Sequence, residues 1–124
     1  MVKQKKILLS LLGAVCISFS VQAKVQHGTA SFYHDKFNGR KTANGEIFSN
    51  RKMTAAHRTL PIGSKVRVTN LKNQKSVVVR INDRGPYVKG RILDLSKAGA
   101  KKLDMEKTGI ATVKVEILEK PKLK

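Results

Sequence analysis

Between His27 and Leu118 the chain never holds one hydrophobic rhythm for long. Short alternating runs give way repeatedly to Gly, Pro and Asn. Lys65 to Thr69 alternates, and Ser76 to Asn82 is a second, valine-rich run; joined by the turn at Leu71 to Gln74, they predict a β-hairpin. Gly28 to His34, Arg91 to Leu95 and Thr112 to Leu118 predict three more strands. In the last, Val113, Val115 and Ile117 share one face. Met53 to Leu60 reads as a helical turn followed by a short strand, ended by Pro61 and Gly63. Asp83-Arg84-Gly85-Pro86 stops a ladder, because Pro86 has no N–H to donate and Gly85 permits a tight turn. One helix is expected, at Lys97 to Leu103, with Ser96 as its N-cap and Leu95, Ala98 and Leu103 facing inward. Many short strands with one short helix fit an all-β fold, a small closed or nearly closed barrel; closure also removes exposed strand edges.

The N-terminus reads differently. Lys3, Lys5 and Lys6 precede an apolar run from Ile7 to Phe19, and Val21-Gln22-Ala23 suits a signal peptidase. The run is short for a bilayer span, which takes about 20 residues. A secretory signal peptide at residues 1–23 is therefore expected, followed by a domain at 24–118 and a basic tail at 119–124. Val15 is a poor neighbour for lipid attachment at Cys16, so no lipoprotein anchor is expected. Cleavage after Ala23 discards the lone cysteine, and the folded part must rely on its core.

Removing the leader lysines takes the formal charge from +18 to +15. A field of that size implies an anionic partner. Export argues against nucleic acid and points to the polyanions of the cell envelope. Three scattered histidines, with no retained cysteine, predict no metal site, and no cofactor is expected.

Several runs, taken together and in order, suggest a family. Gly28-Thr-Ala-Ser-Phe-Tyr33 is followed by Phe37-Asn-Gly-Arg-Lys-Thr-Ala-Asn-Gly-Glu46, Thr54-Ala-Ala-His57 and Leu60-Pro-Ile-Gly63. Val66-Arg-Val-Thr-Asn70, Val79-Arg-Ile-Asn-Asp-Arg-Gly-Pro-Tyr87 and Arg91-Ile-Leu-Asp-Leu-Ser96 complete the set. From Gly28 to about Leu118 the chain resembles the RlpA-like proteins. The resemblance implies a six-stranded double-psi β-barrel, shared with expansins and barwin-like proteins. It implies peptidoglycan binding, and endolytic lytic transglycosylase activity on glycan strands stripped of stem peptides, leaving 1,6-anhydro-muramic ends. The alternative is a non-catalytic, expansin-like wall-binding module. The expected partners are peptidoglycan glycan strands and other anionic envelope polymers. The protein is expected in the periplasm or cell envelope as a monomer without a stable membrane anchor. The sporulation-related repeat domain of many members is not expected here.

Glycosidic cleavage needs a proton donor for the leaving oxygen and a stabiliser of the oxocarbenium-like transition state. A transglycosylase can use one carboxyl group twice, as acid and then as base on the sugar's own 6-hydroxyl. The expected mature chain has eight acids. Asp104, Glu106, Glu116 and Glu119 lie in surface-like contexts and Asp35 in a polar loop, which leaves Glu46, Asp83 and Asp94. Asp83 follows an apolar strand, and half shielding at a strand end is expected to raise its pKa toward that of a general acid. Asp94, next to a helix start, suits a dipole-stabilising role. The resemblance places Glu46 in the groove facing Asp83, as a second acid or a substrate-orienting group. His57 is expected to bind a carboxylate or sugar hydroxyl and set protonation. Tyr33, Thr42, Asn44, Asn82, Arg84 and Tyr87 are candidates to line the sugar groove.

Overall fold

A computed structural model describes residues 24–121, so the expected signal peptide lies outside the described residues. The strands are β1 (Val25–Phe32), β2 (Thr54–Ala56), β3 (Lys65–Asn70), β4 (Ser76–Asp83), β5 (Arg91–Leu95) and β6 (Ala111–Glu119). A 3-10 turn spans Asp35–Phe37, and the helix α1 spans Lys97–Lys102. The six strands close into one barrel in the order β1-β5-β2-β4-β3-β6. Two neighbouring pairs are parallel, β1 with β5 and β2 with β4. The other four are antiparallel. The barrel expected from the sequence is present.

Alternation supplies the core. Val66 and Val68 of β3 face Val79 and Ile81 of β4 and Val113 and Val115 of β6, all buried, while Lys65 and Arg67 stay in solvent. Each such aliphatic side chain contributes about 1.5–3 kcal/mol on burial. The β3–β4 hairpin pairs Lys65 with Arg80 and Thr69 with Ser76. Together with β6 it forms the aliphatic wall of the barrel.

The structure departs from the sequence reading at three places. Strand β1 begins at Val25, and its Gly28 is a close-approach position: a β-carbon there would stand 2.8 Å from Ile92 of β5. No helical turn forms after Met53. Thr54–Ala56 lies between β4 and β5 in the barrel, where its buried backbone groups need ladder partners on both sides. In α1, Gly99 and Ala100 are the buried residues, and Ala98 is only half-buried. Gly99 allows the helix to seat on the barrel, because a β-carbon there would meet Leu95 at 3.3 Å and Val79 at 3.5 Å. Ser96 caps α1 as expected, its hydroxyl accepting from the Gly99 N–H.

Candidate active site

The site is built on the outer face of β1, β5, β2 and β4. Alternation along β5 buries Leu93 and Leu95, so Asp94 between them points outward. Its register partners are Ser31 of β1 and Ala56 of β2. On β4, simple alternation would place Asp83 on the same side as Val79 and Ile81, inside the barrel. A register shift prevents this: Ala55 pairs with Ile81, but Ala56 pairs with Asp83. Asn82 is the extra residue of this bulge. A bulge re-aims the side chains beyond it, and here it brings Asp83 onto the face that carries Asp94. Gly85, with φ of 125°, then turns the chain away.

Asp83 and Asp94 line one groove of about 580 Å³, together with Ser31, Tyr33, Phe37 and Phe48. Arg40, Lys41, Arg84, Tyr87 and Arg91 line it too. A second depression, of about 670 Å³, lies by Asn70, Asn73 and Asp104. It holds one carboxylate and no aromatic ring, so the paired acids favour the former.

Three donors hold the Asp83 carboxylate. Oδ1 accepts the backbone N–H groups of Ala43 and Arg84, each at 2.9 Å, and Oδ2 accepts the Tyr33 hydroxyl at 2.5 Å. The Tyr33 ring stacks on Phe48 at 4.2 Å and meets Phe37 edge-on at 5.9 Å. Burial first, and then the Asp83 carboxylate, push the Tyr33 pKa well above the usual tyrosine value, so it remains a donor. Asp94 accepts from the hydroxyl of Ser31.

Glu46 is differently placed. Arg80 of β4 grips its carboxylate with two bonds, at 2.5 and 3.0 Å, and Asn44 and Asn82 donate at 2.9 and 3.2 Å. The Arg80 bonds first, then the Asn44 bond, hold the Glu46 pKa down to about 2. It is an ionised group that ties the 41–47 loop to β4. Thr42 and Asn44 belong to the same tie: Thr42 donates to the Asn44 side chain at 2.5 Å, and the Asn44 N–H donates to the Asn82 carbonyl. Asn82 itself is 1% exposed. Of the expected groove residues, the structure brings Tyr33, Arg84 and Tyr87 to Asp83, whereas Thr42, Asn44 and Asn82 gather around Glu46.

His57 is buried, and neither ring nitrogen is free. Nδ1 accepts the N–H groups of Thr59 and Leu60 at 3.1 and 3.0 Å, which leaves the proton on Nε2 to donate to Gln26 Oε1 at 2.8 Å. The ring does not line the groove. Burial first, and then the charges of Arg58 and Arg84, lower its pKa. Its backbone does serve the site: the His57 N–H donates to the Asp83 carbonyl, and its own carbonyl accepts from Arg84 Nη1. The same Nη1 donates to the Leu60 carbonyl at 2.6 Å, so Arg84 braces the turn that follows Asp83.

Sequence reasoning set Asp94 aside as a helix-dipole residue. The structure places Asp94 on the groove wall, where it accepts from Ser31, two residues before the Ser96 cap. The alternation of Leu93 and Leu95 around it was the available signal. Ser31 and Arg80 were also missed, since their partners lie far away in sequence.

The family model described as "Lytic transglycolase" matches residues 25–115. The chain belongs to this lytic transglycolase family. Among its similar relatives is the endolytic peptidoglycan transglycosylase RlpA of Pasteurella multocida (strain Pm70). It is 59% identical over 92 residues, covering 74% of this chain and 31% of the relative. Its namesake from Pseudomonas aeruginosa (strain UCBPP-PA14) is 62% identical over 89 residues, covering 72% and 26%. The chain thus spans less than a third of either relative. Among solved structures, a Clavibacter michiganensis expansin mutant in complex with cellohexaose gives a TM-score of 0.63 at 20% identity, covering 82% of this chain and 54% of that one. The Streptomyces papain inhibitor gives 0.63 at 21% identity, covering 77% and 96%. These structures share the fold, and the lytic transglycolase domain here is the closed double-psi barrel of that group.

Proposed function

We propose that this domain is an endolytic peptidoglycan lytic transglycosylase that acts in the cell envelope after export. The observation that carries the reading is the placement of Asp83 and Asp94 on one groove, each in register with Ala56. The family membership and the names of the relatives fit this chemistry. Two strand spacings put the two backbones roughly 10 Å apart, leaving room for a sugar ring between the side chains.

In the proposed reaction Asp83 gives a proton to the glycosidic oxygen as the C1–O4 bond breaks. The negative charge of Asp94 stabilises the oxocarbenium-like centre. The 6-hydroxyl of the same sugar then attacks C1, and its proton returns to Asp83. The products are a 1,6-anhydro end and a new 4-hydroxyl end. No water is consumed, and Asp83 ends in its starting state. Tyr33 orients Asp83 and, because a hydroxyl both donates and accepts, can serve either protonation state. Glu46 and His57 act by positioning: Glu46 fixes the loop whose Ala43 N–H reaches Asp83, and His57 fixes the backbone behind it. Tyr87, 77% exposed at the groove edge, offers a ring face to a pyranose. The preferred strands are those without stem peptides.

The test is digestion of sacculi and of peptide-free glycan by the purified protein, with mass spectrometry of the products. The expected result is 1,6-anhydro-muropeptides from the unsubstituted protein and none from Asp83→Asn, which still sediments with glycan. Binding without anhydro products from either substrate would leave only a wall-binding module. Full activity in Asp83→Asn would give the proton transfer to Asp94.

A further inference from the structure

Four cations, Arg40, Lys41, Arg84 and Arg91, line the groove against two carboxylates. Arg84 is engaged by the His57 and Leu60 carbonyls. The other three have no such task. None takes part in an ion pair among the described residues, and their place on the groove beside Asp83 and Asp94 sets them apart from the chain's other unpaired cations. Arg40 lies over the Phe37 ring, 5.2 Å from its centroid. That contact occupies the guanidinium face and leaves its N–H edge for an anion. Phe37 also abuts Tyr33, so Arg40 is held near the Asp83 pocket. Arg91 is half-buried in β5, three residues from Asp94. Its guanidinium is thus placed on the groove wall within reach of an incoming anion.

We infer that Arg40, Lys41 and Arg91 form a carboxylate-reading rim that recognises the free lactyl acid of muramic residues. This inference rests on the glycan-strand reading above. In peptidoglycan the lactyl carboxyl is a neutral amide while a stem peptide is attached, and an anion once the peptide is removed. The acid is carried on the sugar itself, so it enters the groove wherever the ring does. The carboxylates of a stem peptide lie farther along a flexible chain. A guanidinium fork suits a carboxylate through two parallel bonds. The rim thereby gives a physical reason for a preference for bare strands, and it offsets the repulsion that the negative charge of Asp94 exerts on a polyanion.

The experiment measures strand binding by the full chain carrying Asp83→Asn, which blocks turnover, alone and with Arg91→Gln or Arg40→Gln added. Three soluble strand preparations are compared: peptide-free strands, the same strands with lactyl acids converted to methylamides, and peptide-bearing strands. Amidation should weaken binding roughly tenfold. Arg91→Gln should weaken binding to free-acid strands by a similar factor and leave binding to amidated strands unchanged, while Arg91→Lys restores part of the loss. Peptide-bearing strands should bind like amidated ones. If they bind as tightly as bare strands, the rim reads peptide carboxylates and the lactyl assignment is overturned. Equal binding of free and amidated strands would overturn the inference while leaving the glycan reading intact. Failure to bind any strand would remove both.

Discussion

Asp83 and Asp94 are paired in register with one residue, Ala56, so the two carboxylates flank a single methyl group on β2. They come from different strands and owe their common face to different causes. Simple alternation sets Asp94, and a bulge at Asn82 sets Asp83. The small side chain between them, 1% exposed, is part of the design of the groove.

Enlarging that side chain should harm chemistry and stability together. Ala56→Val should cost about 1–3 kcal/mol of folding stability through overpacking. It should also reduce turnover more than strand affinity, because the space between the acids shrinks. Urea unfolding and steady-state kinetics measure the two effects, and an unchanged kcat would show that the gap plays no part.

Tyr33→Phe removes the hydroxyl that reaches Asp83 Oδ2 and keeps the ring against Phe48. Strand binding should persist. Turnover should fall by roughly ten- to a hundredfold, the range expected when a charge-assisted hydrogen bond worth about 1.5–3 kcal/mol is lost. Ultraviolet titration should show Tyr33 still protonated well above its ordinary range, as burial and the neighbouring carboxylate require.

Glu46 should behave as a structural anion. Its carboxylate loses protons more readily in the fold, at about 2 against 4.5 for the free group. A depressed folded value means that the stabilisation is fully present above pH 4.5 and is lost as pH falls toward 2. Because the pair with Arg80 is part-exposed, solvent screening limits the effect, and Glu46→Gln should cost about 1 kcal/mol at neutral pH. Activity should drop but survive. Acid unfolding curves of the variant should flatten between those two pH values; complete loss of turnover in a folded variant would instead make Glu46 catalytic.

His57 stays neutral because both ring nitrogens are engaged and the site is buried. Its folded pKa is lowered, so below the free value of 6.5 the unfolded chain binds more protons and stability declines as pH falls. His57→Gln should destabilise the protein at pH 8 and weaken this slope between pH 6.5 and 5. Thermal melts across that range give the answer. A slope identical to that of the unsubstituted protein would mean that His57 is not the titrating group.

Much of this protein was legible without coordinates. Alternation in Lys65–Thr69, Ser76–Asn82 and Thr112–Leu118 marked the strands, Ser96 marked the helix start, and the ordered motifs from Gly28 to Leu118 pointed to the barrel family. These are local signals, written in the period of side chains along one segment. The prominence of Asp83 was legible in the same way, as an acid where an apolar strand stops. The partners of Glu46 and Asp94 were not. Arg80 lies 34 positions from Glu46, and Ser31 lies 63 from Asp94. The parallel pairings that bring β1 to β5 and β2 to β4 leave no mark in local periodicity, because each depends on how the whole barrel closes. Closure and one bulge decided which acids share a groove, and an arginine across the loop decided that Glu46 ties that loop to β4.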